Sequence, residues 1–416
     1  MPIRGPVPLL LGAEFTAGLA RASLATALGW QAYARAHDPL VLGLLGLAEF
    51  LPALLLALPA GHVADRYDRR RHAVVASLVG TVVAGLLALD AASGDTAVWP
   101  LYLLALAGGV AQAFLVPSFN PLLAASVPPA GLARVVSLSS ITWQSSSIVG
   151  PALAGGLQTV NDPLPYVAAL AATALSAVFL MALPAAIGTA HVVAERATAT
   201  WHDVTAGIRF VRQTPALLGA ISLDLAAVLF GGATALLPVF ATDVLHVGAD
   251  GNGLLRAAPG VGAILVGVAL AGWPLRRRVG LILFGAVGMF GAATVVFGLS
   301  TSFPLSIAAL AVLAGADMVS VLIRGTLVPL LTPPDLRGRV SALESVFIRA
   351  SNELGAFESG VAAALLGAVP AVVIGGLASL AVAAVWSVWF PSIRKVDRWE
   401  DLPVPDASAT TPAPAG

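Results

Sequence analysis

The chain has 416 residues, of which 58% are hydrophobic and only 11% charged, and its formal net charge is zero. A soluble domain carries about 25% charged residues, so this is the composition of an integral membrane protein, and the even balance gives nucleic acid no electrostatic handle. There is no cysteine, which excludes disulfides and thiolate metal sites.

At about 20–25 residues per span, the length allows roughly twelve helices. Apolar runs place them at 8–34, 40–62, 72–92, 98–122, 133–158, 164–184, 215–240, 251–273, 279–299, 304–328, 340–367 and 370–390. All are read as helices because lipid offers the backbone no hydrogen-bond partner. Arg4 precedes the first run, but no small-residue cleavage site follows a short apolar core, so that run is read as a retained span.

The basic residues set the expected orientation. Arg4, Arg66–Arg71, Arg134, Arg196, Arg209, Arg212, Arg276–Arg278, Arg337, Arg339, Arg394, Lys395 and Arg398 fall on one side. The other side carries Asp95, Asp162, Asp243 and Asp250, with Arg35 as its one basic residue. Both termini are therefore expected in the cytoplasm.

Between the second and third spans runs Gly61-His-Val-Ala-Asp65-Arg66-Tyr67-Asp68-Arg69-Arg70-Arg71. An acid at a helix end can accept backbone N–H groups where the macrodipole favours negative charge. Arginines in such a turn can bond carboxylates or the last carbonyls of another helix. The stretch resembles the Gly-x-Leu-Ala-Asp-Arg-x-Gly-Arg-Lys loop of major facilitator superfamily transporters, with Val63 for Leu and Asp68 for the second Gly. The resemblance implies a conformational latch at Gly61, Asp65, Arg66, Arg69 and Arg70. It also implies an all-α membrane fold of twelve helices in two pseudo-symmetric six-helix halves.

Residues 1–184 are read as the first half and 185–214 as a cytoplasmic linker. The linker holds an amphipathic helix with Trp201, Val204, Ile208 and Val211 on one stripe, which can lie on the membrane surface or pack on the bundle. Residues 215–390 form the second half, and 391–416 a largely disordered cytoplasmic tail rich in Pro, Ala, Thr and Asp.

The halves repeat in sequence. Pro8-Leu-Leu-Leu-Gly12-Ala13 returns as Pro215-Ala-Leu-Leu-Gly219-Ala220, and Gly43-Leu-Leu as Gly253-Leu-Leu. Pro128-Pro129 with Arg134 returns as Pro333-Pro334 with Arg339, and Gly150 and Gly155 fall on Gly355 and Gly360. Two like-oriented halves imply a binding cavity between them at mid-membrane. Arg276–Arg278 ends a worn second copy of the loop motif that has lost its aspartate.

The fifth span contains Gly150-Pro151-Ala-Leu-Ala154-Gly155, similar to the Gly-Pro-x-x-Gly-Gly signature of facilitator-family antiporters, with Ala154 for one glycine. Proline frees a carbonyl and bends the helix, and the glycines let a neighbour approach closely. The similarity favours export.

Charges inside spans are costly in lipid unless paired or hydrated, and point to function. Glu14 and Arg21 share a face of the first span, as do Asp317 and Arg324 in the tenth. Glu49, Asp224 and Arg256 lie in the second, seventh and eighth, and Arg349, Glu353 and Glu358 in the eleventh. Glu14, Arg21, Glu49, Asp224, Arg256, Asp317 and Arg324 are the candidates for proton coupling or substrate binding, against the alternative of fixed interhelix ion pairs. Glu14 and Glu49 lead as proton carriers. Trp30, Phe114, Phe119, Trp143 and Phe230 are candidate substrate contacts.

No Gly-Lys phosphate loop is present, the one lysine is Lys395, and the six histidines are scattered. An enzyme, a cofactor, a metal site and ATP-driven transport are therefore not expected, and an ion gradient is the natural energy source. Phe210-Val-Arg-Gln-Thr-Pro215 and Thr332-Pro-Pro-Asp-Leu-Arg337-Gly-Arg339-Val resemble the branch of enterobactin exporters and macrolide-type efflux proteins. The resemblance implies a monomer in the bacterial inner membrane that exports a small drug- or siderophore-like molecule in exchange for protons. A lysophospholipid or metabolite transporter of the same fold is the alternative, and a non-transporting receptor or scaffold a further one.

Overall fold

The computed structural model describes residues 5–56, 68–188, 201–334 and 336–402. Gly61, Asp65 and Arg66 of the loop motif, and residues 403–416 of the expected tail, lie outside them. The described chain is helical. The first group of helices is α1 (Val7–Ala36), α2 (Leu40–Leu55), α3 (Arg69–Ser93), α4 (Trp99–Ala125), α5 (Pro129–Gln158) and α6 (Leu164–Met181). After α7 (Trp201–Gln213) come α8 (Pro215–Phe230), α9 (Gly248–Gly272), α10 (Val279–Leu299), α11 (Phe303–Leu331), α12 (Arg337–Leu366) and α13 (Ala368–Trp389).

Local chemistry sets the ends. Pro8, Pro100, Pro129, Pro165, Pro215 and Pro304 stand in the first two positions of their helices, where the missing N–H costs nothing. Asp68 caps α3 by accepting from the N–H groups of Arg70 and Arg71 at 2.9 and 3.1 Å. The residue that departs from the family pattern thus still starts a helix. Gly94, with φ +70°, follows the end of α3, and glycine adopts that left-handed geometry without strain.

Eight helices among the described residues are long and apolar enough to cross a membrane. α1, α5 and α12 are 30 residues each, ample for a span, but are less apolar. They carry Glu14 and Arg21, a serine-rich stretch, and Arg349, Glu353 and Glu358 respectively. These are the helices that face the cavity described below.

The two groups pack alike. In the first, α1 packs on α5 and α6, α3 on α4 and α6, and α2 on α4. In the second, α8 packs on α12 and α13, α10 on α11 and α13, and α9 on α11. Between the groups, α5 meets α9 and α12 meets α2, which are again the same contact in the two halves.

Two segments take a definite setting. On α7, Val211 is buried in the core of the second group, and a Cβ at Gly207 would lie 3.6 Å from Arg339. The C-terminal part of α7 therefore packs on the bundle. Residues 391–402 form no loose tail: Ile393, Val396 and Leu402 are buried in that same core. The N–H groups of Val279 and Gly280 donate to the carbonyls of Asp397 and Val396.

Candidate functional site

Between the groups lies a cavity of about 370 Å³ lined by α1, α4, α5 and α12. Glu14, Arg21, Phe119, Trp143, Gln144 and Arg349 are on its walls. It runs from mid-depth toward the end that carries residues 5 and 402. At the opposite end the groups close on one another. A Cβ on Gly155 would meet Gly253 Cα at 2.8 Å, and one on Gly360 would meet Gly43 Cα at 2.9 Å. Only glycine permits backbones this close. Gly43 and Gly253 are repeat partners, as are Gly155 and Gly360, so one glycine seam is used twice. The Tyr33 hydroxyl donates to Asp243 across the same closed end.

Gly150 and its partner Gly355 do a second job twice. A Cβ on Gly150 would press on Leu19 O at 3.0 Å in α1, and Ser23 donates to the Gly150 carbonyl at 3.0 Å. A Cβ on Gly355 would press on Leu229 O at 2.8 Å in α8. Pro151, between the two glycine contacts of α5, presents its carbonyl to Gly253, 2.5 Å from where a Cβ there would be.

The predicted charges sort into three sets. Glu14 accepts a hydrogen bond from Ser139 at 2.6 Å through Oε1, while its Oε2 is buried with no partner. No guanidinium faces it closely enough to act on it. At mid-depth, Arg21 and Glu49 of the first group come within electrostatic reach of Arg256 and Glu353 of the second. Arg256 lies against α1 beside Gly29, and Glu353 against α2 beside Gly46. The Arg21 guanidinium sits 4.3 Å from the Trp143 ring centroid, a cation–π stack. The third set lies within the second group. Arg324 pairs with Asp224 at 2.7 Å and reaches Glu344 at 3.8 Å, with Asp317 close by.

Arg70 donates through Nε to the Leu180 carbonyl at 3.0 Å and through Nη2 to that of Met181, holding the last carbonyls of α6. Arg69 opens α3. Arg35 pairs with Asp90 at 2.7 Å and donates to Ala97 O, so the one basic residue on its side ties α1 to α3 and the following turn.

Of the candidate aromatics, Phe119 and Trp143 line the cavity. Phe114 stacks on His72 at 5.3 Å, and Trp30 packs in the closed-end core. Ser139 and Glu344 were missed as partners. They occupy the same repeat position, at the offset that relates Gly150 to Gly355, and that was the available signal.

Paired helical halves around a charged, half-closed cavity are the plan of a membrane transporter. The family model for the Major Facilitator Superfamily matches residues 10–347, and the chain belongs to that superfamily: it is a multi-pass membrane transporter and not an enzyme. An enterobactin exporter, EntS, of Citrobacter koseri is 26% identical over 361 residues, covering 86% of this chain and 84% of that protein. An uncharacterized MFS-type transporter, YfiS, of Bacillus subtilis is 30% identical over 272 residues, and the match spans 61% of its length. Among solved structures, the nucleoside transporter NupG superposes with a TM-score of 0.72 at 15% identity, covering 93% of this chain and 99% of that one. A bacterial homologue of the human lysosomal transporter Spinster, inward-facing and unoccupied, superposes at 0.70 with 13% identity, covering 94% and 95%. At such identities these two show the fold alone.

Proposed function

We propose that the protein is a proton-coupled exporter of a small organic molecule in the bacterial inner membrane, working as a monomer with both termini in the cytoplasm. On that orientation the cavity faces the cytoplasm, as an exporter awaiting cargo requires. The relatives named as enterobactin exporters and the antiporter-like Gly150–Gly155 stretch support the direction.

One observation carries the coupling. A proton carrier must change its protonation within the cycle, so a carboxylate held by a guanidinium in a buried pair is a poor carrier. Asp224 is held by Arg324, and Glu49 faces Arg21 and Arg256. Glu14 alone among these combines a place in the cavity, a buried oxygen with no donor and no close cation. Glu14 therefore takes the proton and Glu49 the structural role.

The test is Glu14→Gln in proteoliposomes with a trapped pH dye and an organic-ion panel as cargo. The wild type is expected to move protons when cargo is added and to concentrate cargo against a pH gradient. Glu14→Gln is expected to keep cargo exchange and lose gradient-driven accumulation at least tenfold. Full gradient-driven flux in the variant removes Glu14 from the coupling role.

A further inference from the structure

The charges around the cavity are unevenly placed: the third acid, Glu14, stands two turns of α1 away from the arginine cluster. At mid-depth the guanidiniums of Arg21, Arg256 and Arg349 stand among only two carboxylates, Glu49 and Glu353. Locally one positive charge is in excess, in a place where a charge is costly unless it is paired or hydrated. The excess falls on the cavity wall. Arg349, from the second group, is exposed to the cavity and makes no ion pair among the described residues. It stands close enough to Arg21, from the first group, for the two to repel. Arg21 Nε is buried and donates to nothing. Two turns along the same face of α1, about 10 Å in helix rise, Glu14 holds in Oε2 a buried acceptor without a donor. Between these two orphaned atoms the wall is apolar and aromatic, with Leu115, Phe119 and Trp143.

We propose that the cavity takes an elongated organic anion that carries a hydrogen-bond donor about 10 Å from its acid group, matching two turns of helix. The acid group bridges Arg21 and Arg349, the flat middle lies on Trp143 and Phe119, and a hydroxyl or ammonium donates to Glu14 Oε2. This assignment rests on the exporter reading and gives it a cargo chemistry. The bridge also joins the two halves, so cargo cancels the repulsion that the empty cavity contains. Cargo and proton compete for one oxygen: as the donor binds the Glu14 carboxylate, the proton held there leaves to water. A cavity of about 370 Å³ is at the small end of ligand sites, which fits a cargo of this length and one or two rings.

Three probes test it with the purified full-length protein in weakly buffered detergent. They are para,para′-hydroxybiphenyl carboxylate, biphenyl carboxylate without the hydroxyl, and biphenylmethylammonium. The hydroxy acid is expected to quench tryptophan fluorescence and to release about one proton per bound molecule. Biphenyl carboxylate is expected to bind about tenfold more weakly and release none, and the ammonium not to bind. Arg21→Gln and Arg349→Gln should each weaken both acids at least tenfold, while Arg349→Lys, which keeps the charge, retains most binding and guards against misfolding. Glu14→Gln should erase the difference between the two acids. Equal binding of the ammonium, or acid binding unchanged in both arginine variants, overturns the assignment. Arginine-dependent binding of the acids without proton release supports the anion assignment and overturns coupling at Glu14. Proton release driven by the ammonium overturns the anion assignment and leaves the coupling standing.

Discussion

What a buried carboxylate does here is decided by its neighbours and not by its depth. Asp224 and Arg324 are 6% and 3% exposed, and their 2.7 Å pair joins α8 to α11 with Glu344 of α12 as a third member. Arg324 thus holds three helices together and stands among three acids, counting Asp317. Removing one partner of a buried pair costs about 3–5 kcal/mol because the other charge is stranded. Arg324→Leu should therefore lower the thermal midpoint far more than Asp224→Asn, which leaves Arg324 with Glu344. Fluorescence-detected size exclusion after heating checks the order, and equal midpoints in the two variants would show that the set is not organised around Arg324. The sequence ranks Glu14 ahead of Asp224, Arg324 and Asp317 as a proton carrier but does not show how those three are held together. Their further partner, Glu344, lies twenty residues beyond Arg324 on another helix, and only the repeat position that it shares with Ser139 pointed to it.

The elements show the same economy at the end that carries residues 5 and 402. The second copy of the loop motif lacks its acid in sequence, yet the structure supplies one. Asp397, brought back by the short helix Pro391–Arg394, accepts from the Arg278 N–H at 3.0 Å and faces Arg277 Nε at 3.4 Å. It therefore stands at the start of α10, where the macrodipole favours an anion. Trp399 fastens the segment further by donating to Leu275 O at 2.8 Å. The Arg278 N–H foremost, then Arg277 and Arg398, hold the Asp397 carboxyl below its ordinary range. A depressed carboxylate adds stability that is full at neutral pH and is lost as the pH falls through the lowered value. Asp397→Asn should thus speed backbone hydrogen exchange of residues 391–402 and of Val279 and Gly280 at neutral pH. The wild type should show that loosening only below the ordinary carboxylate range. Unchanged exchange in Asp397→Asn would mean that Trp399 and the apolar contacts suffice. Spans and the repeat were legible because hydropathy and fixed offsets are local or periodic signals. A docked segment of mixed polarity carries neither, so the docking of residues 391–402 on α10 was not legible.

At the scale of the whole molecule, the pseudo-twofold arrangement makes a claim about movement. The closed end is held by two copies of one glycine seam, Gly155 on Gly253 and Gly43 on Gly360. If the halves rock as rigid bodies, both seams open together, because each joins one half to the other. Forcing a side chain into a close-packed seam costs about 1–3 kcal/mol, and conformations of such carriers differ by only a few kcal/mol. Each overpacked seam then shifts the same equilibrium toward the state open at that end, and the two shifts add in free energy. The chain has no cysteine, so Leu42→Cys, placed in the buried core of the closed end, is a clean reporter for an impermeant maleimide. Gly253→Leu and Gly360→Leu should each raise its labelling rate about tenfold, a factor worth about 1.4 kcal/mol. The double variant should raise it by close to the product of the two factors, until the open state saturates. Gly156→Leu is the control, since a Cβ there meets nothing within 4 Å, and it should leave labelling unchanged although it adjoins Gly155. If Gly360→Leu, at the seam beside Leu42, raises labelling and Gly253→Leu, at the other seam, does not, the seams open independently and the halves do not move as rigid bodies. If neither raises it, the seams are not what holds that end shut.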